Sequence, residues 1–206
     1  MEKTDKILAK FSDEINAINT EIDIKRRNCP MCIAIANRII NRTNAHNLMR
    51  RAEGRPPILM NGKRLQKVLY LCQLEWLAEG NRNYLISDDF EAWAKGPVVA
   101  SIYDVFSIYQ DGDMFPYRSK NKIIQPLTDK ERNVINYVVD STIDIDTDTI
   151  IEFTHTPGGP WDQAYKNRNQ NERRPVISKE NIRAYIDISD NREILRKFLE
   201  RGVLPQ

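Results

Sequence analysis

The sequence predicts a mainly α-helical, compact domain with a small two- or three-stranded β element and an N-terminal amphipathic helix. Apolar residues recur every three or four positions in several segments, capping residues precede most of these segments, and two short stretches, 84–86 and 90–93, have the character of strands. The chain has 206 residues, of which 41% are hydrophobic and 29% are charged. It is therefore long enough to bury a core without a metal or a disulfide.

The first predicted helix covers residues 4–27. It has a heptad face, because its apolar residues follow one another at intervals of three and four positions. A face of about two heptads is too short to be stable as an isolated coiled coil. We therefore expect it to dock on its own domain, on a second copy of the chain in a homodimer, or on a partner protein. The residues of this face are Leu8, Phe11, Ile15, Ile18 and Ile22.

Two further helices are expected before residue 80. The second has an apolar face between residues 32 and 40, and the polar stretch 44–57 is predicted to be a loop. The third covers residues 63–79, with Asn61 as its cap and a glycine at its end. Its strong buried stripe consists of Leu65, Val68, Leu69, Cys72 and Trp76.

Residues 84–86 and 90–93 are predicted as two short strands. Gly96 and Pro97 then break the chain, and Pro97 is expected in the first turn of a helix whose apolar side, Tyr103 included, faces inward. Later helices are indicated by their start signals, and Gly202 is expected to close the last of them. These start signals begin at Thr128, Thr149, Ser178 and Asp190.

The charges are unevenly distributed, although the formal net charge is only +2. Between Lys25 and Lys67 there are eleven basic residues and one acidic residue, so this segment carries +10 and the remainder carries −8. Such a segment offers a basic surface to an acidic protein or to nucleic acid, if folding gathers its charges on one face. A solvated surface without a partner explains the same pattern.

No apolar stretch approaches the length of a membrane span, and the charged N-terminus lacks the apolar core of a signal peptide. The sequence therefore predicts a soluble cytoplasmic protein with no membrane partner. Cys29 and Cys32 form a CxxC pair that lacks the further ligands a zinc site needs. We expect Cys32 and Cys72 to be small buried residues in a reducing compartment.

The sequence contains no recognisable catalytic or metal-binding constellation. The acidic run from Asp144 to Asp148 resembles the start of a calcium loop, but Thr149 and His155 stand where that loop needs glycine and an acidic residue. Helix capping explains this run better. His155 has no identifiable catalytic partner, so we expect it to pack beside Trp161 at a helix end. No enzyme activity and no cofactor are predicted, and a hydrolase using His155 is the weakest alternative.

Three motifs follow one another in an order that resembles a family pattern. Each combines apolar core positions with an aromatic residue. They are LQKVLY at 65–70 with Trp76, FEAW at 90–93 with GPVV at 96–99 and Tyr103, and Thr154-His155 with Pro160-Trp161 and Ala164-Tyr165.

On these motifs the chain resembles the Panacea-type domain of the SocA-like antitoxins, which is frequent in bacteria and their phages. The resemblance covers residues 32–186. It leaves residues 1–31 as an N-terminal amphipathic helix with its linker, and 187–206 as a C-terminal helix packed on the domain.

The resemblance implies a helical domain without a catalytic site that acts as the antitoxin of a type II toxin–antitoxin pair. Family members neutralise a cognate protein toxin, encoded by an adjacent gene, by direct contact, and some present the toxin to a protease as adaptors. The alternative is a nucleic-acid-binding regulator that uses the basic segment 25–67. No helix-turn-helix pair supports that alternative.

One set of residues is expected to have a structural role, and a second set is expected to bind a partner. A structural role at a strand-to-helix corner is assigned to Gly96, in a conformation barred to other residues, and to Pro97, which fixes the helix entry. Trp93, His155 and Trp161 are the other structural residues of the motifs. Partner binding is assigned to the N-terminal heptad face and one face of the third helix, through Phe11, Ile15, Ile18, Arg64, Gln66, Lys67 and Tyr70.

Overall fold

The computed structural model describes residues 30–107, 114 and 126–205. Eight α-helices and three short β-strands lie in these ranges, which confirms the predicted mainly α fold class. The predicted N-terminal helix lies outside them. In chain order the elements are α1 (Pro30–Ala52), α2 (Gly62–Ala78), β1 (Phe90–Trp93), β2 (Gly96–Val99), α3 (Ala100–Phe106), α4 (Asp129–Thr142), α5 (Thr147–Thr154), α6 (Pro160–Lys166), β3 (Val176–Ile177), α7 (Lys179–Asp187) and α8 (Ser189–Arg201).

Helix α2 is the centre of the fold. Thirteen of its 17 residues are buried, and it contacts α1, α3, α4, α5, α7, α8 and β2. As predicted, the side chain of Asn61 caps this helix by accepting a hydrogen bond from the backbone N–H of Arg64. A helix that is mostly buried must satisfy its buried polar side chains inside the protein. The hydrogen bonds that these buried polar side chains make to backbone atoms form part of the candidate site.

Strand β1 is the middle strand of a small antiparallel sheet with the order β2–β1–β3. In the β1–β2 hairpin, Phe90 lies opposite Val99 and Trp93 lies opposite Gly96, so the turn consists of two residues. Strands this short are not stable alone. Helices α2 and α6 pack against them and supply the missing support.

Most predicted helix boundaries are confirmed. Thr128 forms the expected capping box at the start of α4, Ser178 caps α7, and Gly202 ends α8 with a φ of 66°. Helix α5 begins earlier than predicted. Its cap is Asp146, whose carboxylate accepts the backbone N–H of Thr149, which confirms the capping role expected for the acidic run.

The predicted loop over residues 44–57 is wrong in its first half, because α1 continues to Ala52. Polar side chains on this part of α1 bind α4. The guanidinium of Arg42 forms an ion pair with Asp140 (2.6 Å), and a hydrogen bond of 2.7 Å joins His46 Nε2 to the same carboxylate. A polar helix surface resembles a loop in the sequence, since its partners lie more than 90 residues away.

Residues 84–86 do not form the strand that the sequence predicts. The side chain of Gln73 on α2 accepts a hydrogen bond from the backbone N–H of Ile86 (2.9 Å). This backbone group is therefore satisfied by a buried side chain and needs no neighbouring strand.

Pro97 lies in strand β2, so the expectation that it occupies the first turn of a helix is wrong. Helix α3 begins at Ala100. Gln66 on α2 holds the preceding residue in an extended conformation: its side chain accepts the N–H of Val99 (2.8 Å) and donates to the carbonyl oxygen of Val99 (3.3 Å). The strand-to-helix corner thus comes after the glycine–proline pair.

Candidate functional site

Residues from the three sequence motifs meet at Gly96. Lys67 on α2 lies beneath the β1–β2 turn, where its Nζ donates a hydrogen bond to the carbonyl oxygen of Pro97 (2.7 Å). Gly96 has a φ of 96°, and a Cβ there would lie 2.8 Å from Lys67 Cε and 2.8 Å from Thr154 Oγ1. Both the backbone conformation and the available space therefore require glycine at this position.

Stacked side chains join the third motif to this turn. The ring of His155 lies parallel to that of Trp161, with 3.7 Å between centroids, as expected from the sequence. Tyr165 stacks next to Trp161 (4.8 Å), and the guanidinium of Arg168 covers Tyr165 (3.8 Å). The indole N–H of Trp161 donates a hydrogen bond to the carbonyl oxygen of Trp93 (2.9 Å). Helix α6 is thereby fixed to the hairpin.

Burial controls the electrostatics beneath the turn. Lys67 is only 1% exposed, and burial lowers the pKa of its amine to about 7. Burial also lowers the pKa of His155, and the nearby charge of Lys67 lowers it further. In the ranges that the structure describes, no group hydrogen-bonds to the buried Nε2 of His155.

Lys67→Met is expected to remove a pH dependence of stability. Above about pH 7 the native protein favours the neutral amine, whereas the unfolded chain keeps the proton until about pH 10. Since the unfolded state binds more protons in this window, the free energy of unfolding rises with pH by up to roughly 1 kcal/mol per pH unit. Urea unfolding of the wild-type protein and of the Lys67→Met variant, between about pH 7 and pH 10, measures this pH dependence. A difference between the proteins that stays constant with pH would contradict the expectation.

An open groove lies beside the turn. It is formed by the start of α2, the β1–β2 hairpin and α3, and it consists of two adjoining cavities of about 390 and 300 Å³. Trp93 and Tyr103 contact each other in its wall, with 4.8 Å between ring centroids. Tyr103 is 45% exposed, so the expectation that it faces inward is wrong. Sequence pattern alone misses this residue, because a tyrosine on a short amphipathic helix suits either environment.

One comparison with known proteins finds a family to which part of the chain is similar. The family model described as the antitoxin SocA-like, Panacea domain matches residues 65–162, just under half of the chain. Residues 65–162 are thus similar to a Panacea domain. No curated protein and no solved structure matches the chain. The match begins on α2 and ends on α6, so Lys67, Gly96, Thr154 and Trp161 all lie within the matched region.

The residues of helix α2 that the sequence assigns to partner binding are buried. Arg64, Gln66, Lys67 and Tyr70 are at most 3% exposed. Their polar groups face the interior, and the ring of Tyr70 packs edge-on against Phe90, with 5.2 Å between centroids. Their burial leaves little of these side chains for a partner, because neighbouring elements cover most of this helix, which its apolar stripe alone does not reveal; their role in partner binding stays a prediction.

Arg64 hydrogen-bonds to the chain that leaves the C-terminal end of α4. Its Nη2 donates to the carbonyl oxygens of Thr142 (2.6 Å) and Ile143 (3.3 Å), and its Nη1 donates to that of Ile145 (2.9 Å). Burial lowers the pKa of the guanidinium to about 10, so it remains charged at neutral pH. The positive charge faces the negative end of the α4 dipole.

The described part of the basic segment 25–67 is not gathered on one open face. Arg42 and Arg50 form ion pairs with acidic residues of α4 and of the segment after it. Arg64 and Lys67 are buried. The charge of +10 in the sequence therefore overstates the positive charge that this segment offers to a partner.

Several other predictions concern ligands and compartments. Within residues 30–107, 114 and 126–205, no group of three or more His, Cys, Asp or Glu side chains could hold a metal ion. No helix in the same ranges has the length and apolar character needed to cross a membrane. Cys32 and Cys72 are buried free thiols. The predicted contacts Phe11, Ile15 and Ile18 lie outside the described residues.

Proposed function

We propose that this protein is the antitoxin of a type II toxin–antitoxin pair and that it neutralises a protein toxin, encoded by an adjacent gene, by binding it directly in the cytoplasm. The match of residues 65–162 to the SocA-like antitoxin family carries this proposal. In it the protein performs no catalysis and needs no cofactor. The buried thiols of Cys32 and Cys72 suit a reducing compartment.

The packing around Gly96 supports binding rather than catalysis. The polar groups of the motifs hold backbone atoms: Lys67 binds the carbonyl oxygen of Pro97, and Trp161 binds that of Trp93. These bonds fix the shape of the hairpin and of the groove beside it. A preformed surface loses less conformational entropy when a partner binds.

The N-terminal heptad face is the second contact in this proposal. Phe11, Ile15 and Ile18 give it apolar anchors, and an amphipathic helix laid into an apolar groove is a common recognition mode. The formation of a homodimer through this face stays a prediction, as does a role as an adaptor that presents the toxin to a protease.

A protein partner has more support than nucleic acid. The alternative regulator would use the basic segment 25–67, but Arg42 and Arg50 are ion-paired and Arg64 and Lys67 are buried. Binding to promoter DNA that weakens steeply with salt would favour this alternative, because phosphate contacts release counterions.

Co-expression with the product of each adjacent gene tests the proposed function. The expected result is that one such product arrests growth alone, that this chain restores growth, and that the two purified proteins form a complex. If no adjacent product is both toxic and bound by this chain, the proposed function is wrong.

The double substitution Phe11→Asp and Ile15→Asp is expected to weaken toxin binding at least about tenfold, because it places two charges in an apolar contact. Isothermal titration calorimetry measures the affinity. The matched control is Asn16→Asp with Asn19→Asp, which adds the same two charges at positions outside the heptad face. Equal affinities for the two double variants would remove the heptad face from the proposed interface.

A further inference from the structure

Helix α1 has an outer strip of residues that recur at intervals of four and three positions, so they share one face of the helix. At the C-terminal end of this strip, Leu48 and its neighbour Met49 are 60% and 61% exposed, more than any other large hydrophobic side chain in the described ranges. At the other end, Ala34 is buried without being part of the hydrophobic core. The outer strip consists of Ala34, Arg38, Asn41, Ala45 and Leu48.

The outer strip and the N-terminal heptad face have complementary spacing. The heptad face has intervals of three, four, three and four residues, and the strip has the same intervals in reverse order. In an antiparallel pair of helices, the residue numbers of facing positions have a constant sum. Here that sum is 56 for all five pairs, which are Leu8 with Leu48, Phe11 with Ala45, Ile15 with Asn41, Ile18 with Arg38, and Ile22 with Ala34.

The connection between the two segments favours the antiparallel orientation. Only residues 28 and 29 separate the predicted helix 4–27 from Pro30, where α1 begins. Two helices joined by two to five residues form an antiparallel pair. A helix of residues 4–27 would be about 36 Å long and α1 is about 34 Å long, so the whole heptad face can lie along the strip.

The charges also favour this pairing. Residues 5–23 contain five acidic and two basic residues, whereas α1 contains four arginines and no acidic residue. Arg42 and Arg50 already form ion pairs with Asp140 and Asp144, so the attraction is modest. A second copy of α1 on the strip would instead bring arginines together, and like charges disfavour that contact.

Arg38 is compatible with an apolar neighbour, although it lies within the strip. Its Nε donates a hydrogen bond to Asn136 on α4 (2.9 Å), so the guanidinium is held towards α4. The aliphatic stem of an arginine held in this way can cover apolar surface. Ile18 therefore meets methylene groups at this position rather than a charge.

We propose that the heptad face of residues 4–27 docks on the outer strip of α1 in the same chain, as an antiparallel helical pair, while no toxin is bound. In this pair Phe11 lies over the small side chain of Ala45, and Leu8 covers Leu48. The inference rests on the proposed function in one respect, since a toxin that binds the heptad face has to displace it from α1. The pair therefore lowers the apparent affinity for the toxin.

Cysteine cross-linking of the full chain tests the helical pair without the toxin. In a Cys29→Ser background, Ile15→Cys with Asn41→Cys is expected to form a disulfide within one chain on mild oxidation, because the two positions face each other. The matched control is Ala17→Cys with Asn41→Cys. It places the first thiol about 200° around the predicted helix and should give at least about tenfold less of this product.

Non-reducing electrophoresis and mass spectrometry identify the cross-linked product. Two results would overturn the proposal directly: no disulfide between positions 15 and 41, or equal amounts in the control pair. A disulfide between two chains would also overturn it, because a second copy would then occupy the outer strip.

Opening the pair is expected to strengthen toxin binding. Ala45→Asp places a charge against Phe11, so it should slow formation of the 15–41 disulfide and raise the affinity for the toxin at least about threefold. Ala184→Asp makes the same change at an exposed position of α7 and should alter neither measurement. Equal effects of Ala45→Asp and Ala184→Asp would overturn the proposal.

The helical pair and the proposed function can fail separately. If the 15–41 disulfide forms while no adjacent gene product is neutralised, the helical pair stands and the proposed function is wrong. If a toxin is neutralised and the disulfide does not form, the proposed function stands and the helical pair is wrong.

Discussion

Arg64→Met is expected to lower the free energy of unfolding by about 3 kcal/mol, because it removes the Arg64 donors from three carbonyl oxygens, those of Thr142, Ile143 and Ile145, of which that of Thr142 also accepts the N–H of Ile145. Arg64 is 3% exposed, so water does not replace the guanidinium freely. A methionine fills much of the same space, which limits the contribution of a cavity to the loss. Urea unfolding followed by circular dichroism gives the free energy.

Two comparisons make this result specific. Arg64→Lys keeps a positive charge but lacks the fork that reaches residues 142–145, so it should recover only part of the stability. Arg51→Met removes an exposed arginine from the last turn of α1 and should change the free energy by less than about 0.5 kcal/mol. A stability of Arg64→Met close to that of Arg51→Met would contradict the structural role of Arg64.

The helices were predictable where their signals are local. The capping box at Thr128, the caps Asn61 and Ser178, and the left-handed glycine Gly202 each act within four residues of their own position. Apolar periodicity marked the buried stripe of α2 for the same reason. Such signals need no knowledge of the rest of the fold, and they sufficed for the fold class.

The polar residues of α2 were not predictable, because their partners are distant in sequence. Gln66, Lys67 and Gln73 hydrogen-bond to backbone atoms that lie 13 to 33 residues further along the chain. A helix whose polar side chains are exposed shows the same spacing as one whose polar side chains bind buried backbone groups. The sequence therefore indicated a partner-binding face where the structure has an internal framework.

The candidate site was predictable in part. The motifs located Trp93, Gly96 and Trp161, which the structure brings together around one turn. The contact of Arg174 with Trp93 was missed, since Arg174 reaches Trp93 only through the pairing of β3 with β1. Three-dimensional packing, and not any local pattern, places this cation beside the hairpin.

Gly96→Ala is expected to cost about 3 kcal/mol of unfolding free energy. A left-handed conformation costs an L-residue about 1–2 kcal/mol, and the added Cβ would meet Lys67 Cε and Thr154 Oγ1 at 2.8 Å. Neither neighbour moves away easily, because Lys67 is bonded to Pro97 and Thr154 Oγ1 donates to the carbonyl oxygen of Ile151. Overpacking of this kind typically adds 1–3 kcal/mol.

Gly80→Ala separates the cost of the left-handed backbone conformation from the cost of crowding around the added Cβ. Gly80 has a similar φ of 82°, but a Cβ there would meet no atom within 4 Å, so this variant loses only the backbone contribution of about 1 kcal/mol. Urea unfolding of both variants measures the difference, which is the cost of crowding between α2, α5 and the hairpin. If the two variants lose the same free energy, the hairpin adjusts without resistance, and the rigid corner that shapes the groove does not exist. A larger loss in Gly96→Ala means that the space beneath the turn, and not its backbone angle alone, requires glycine.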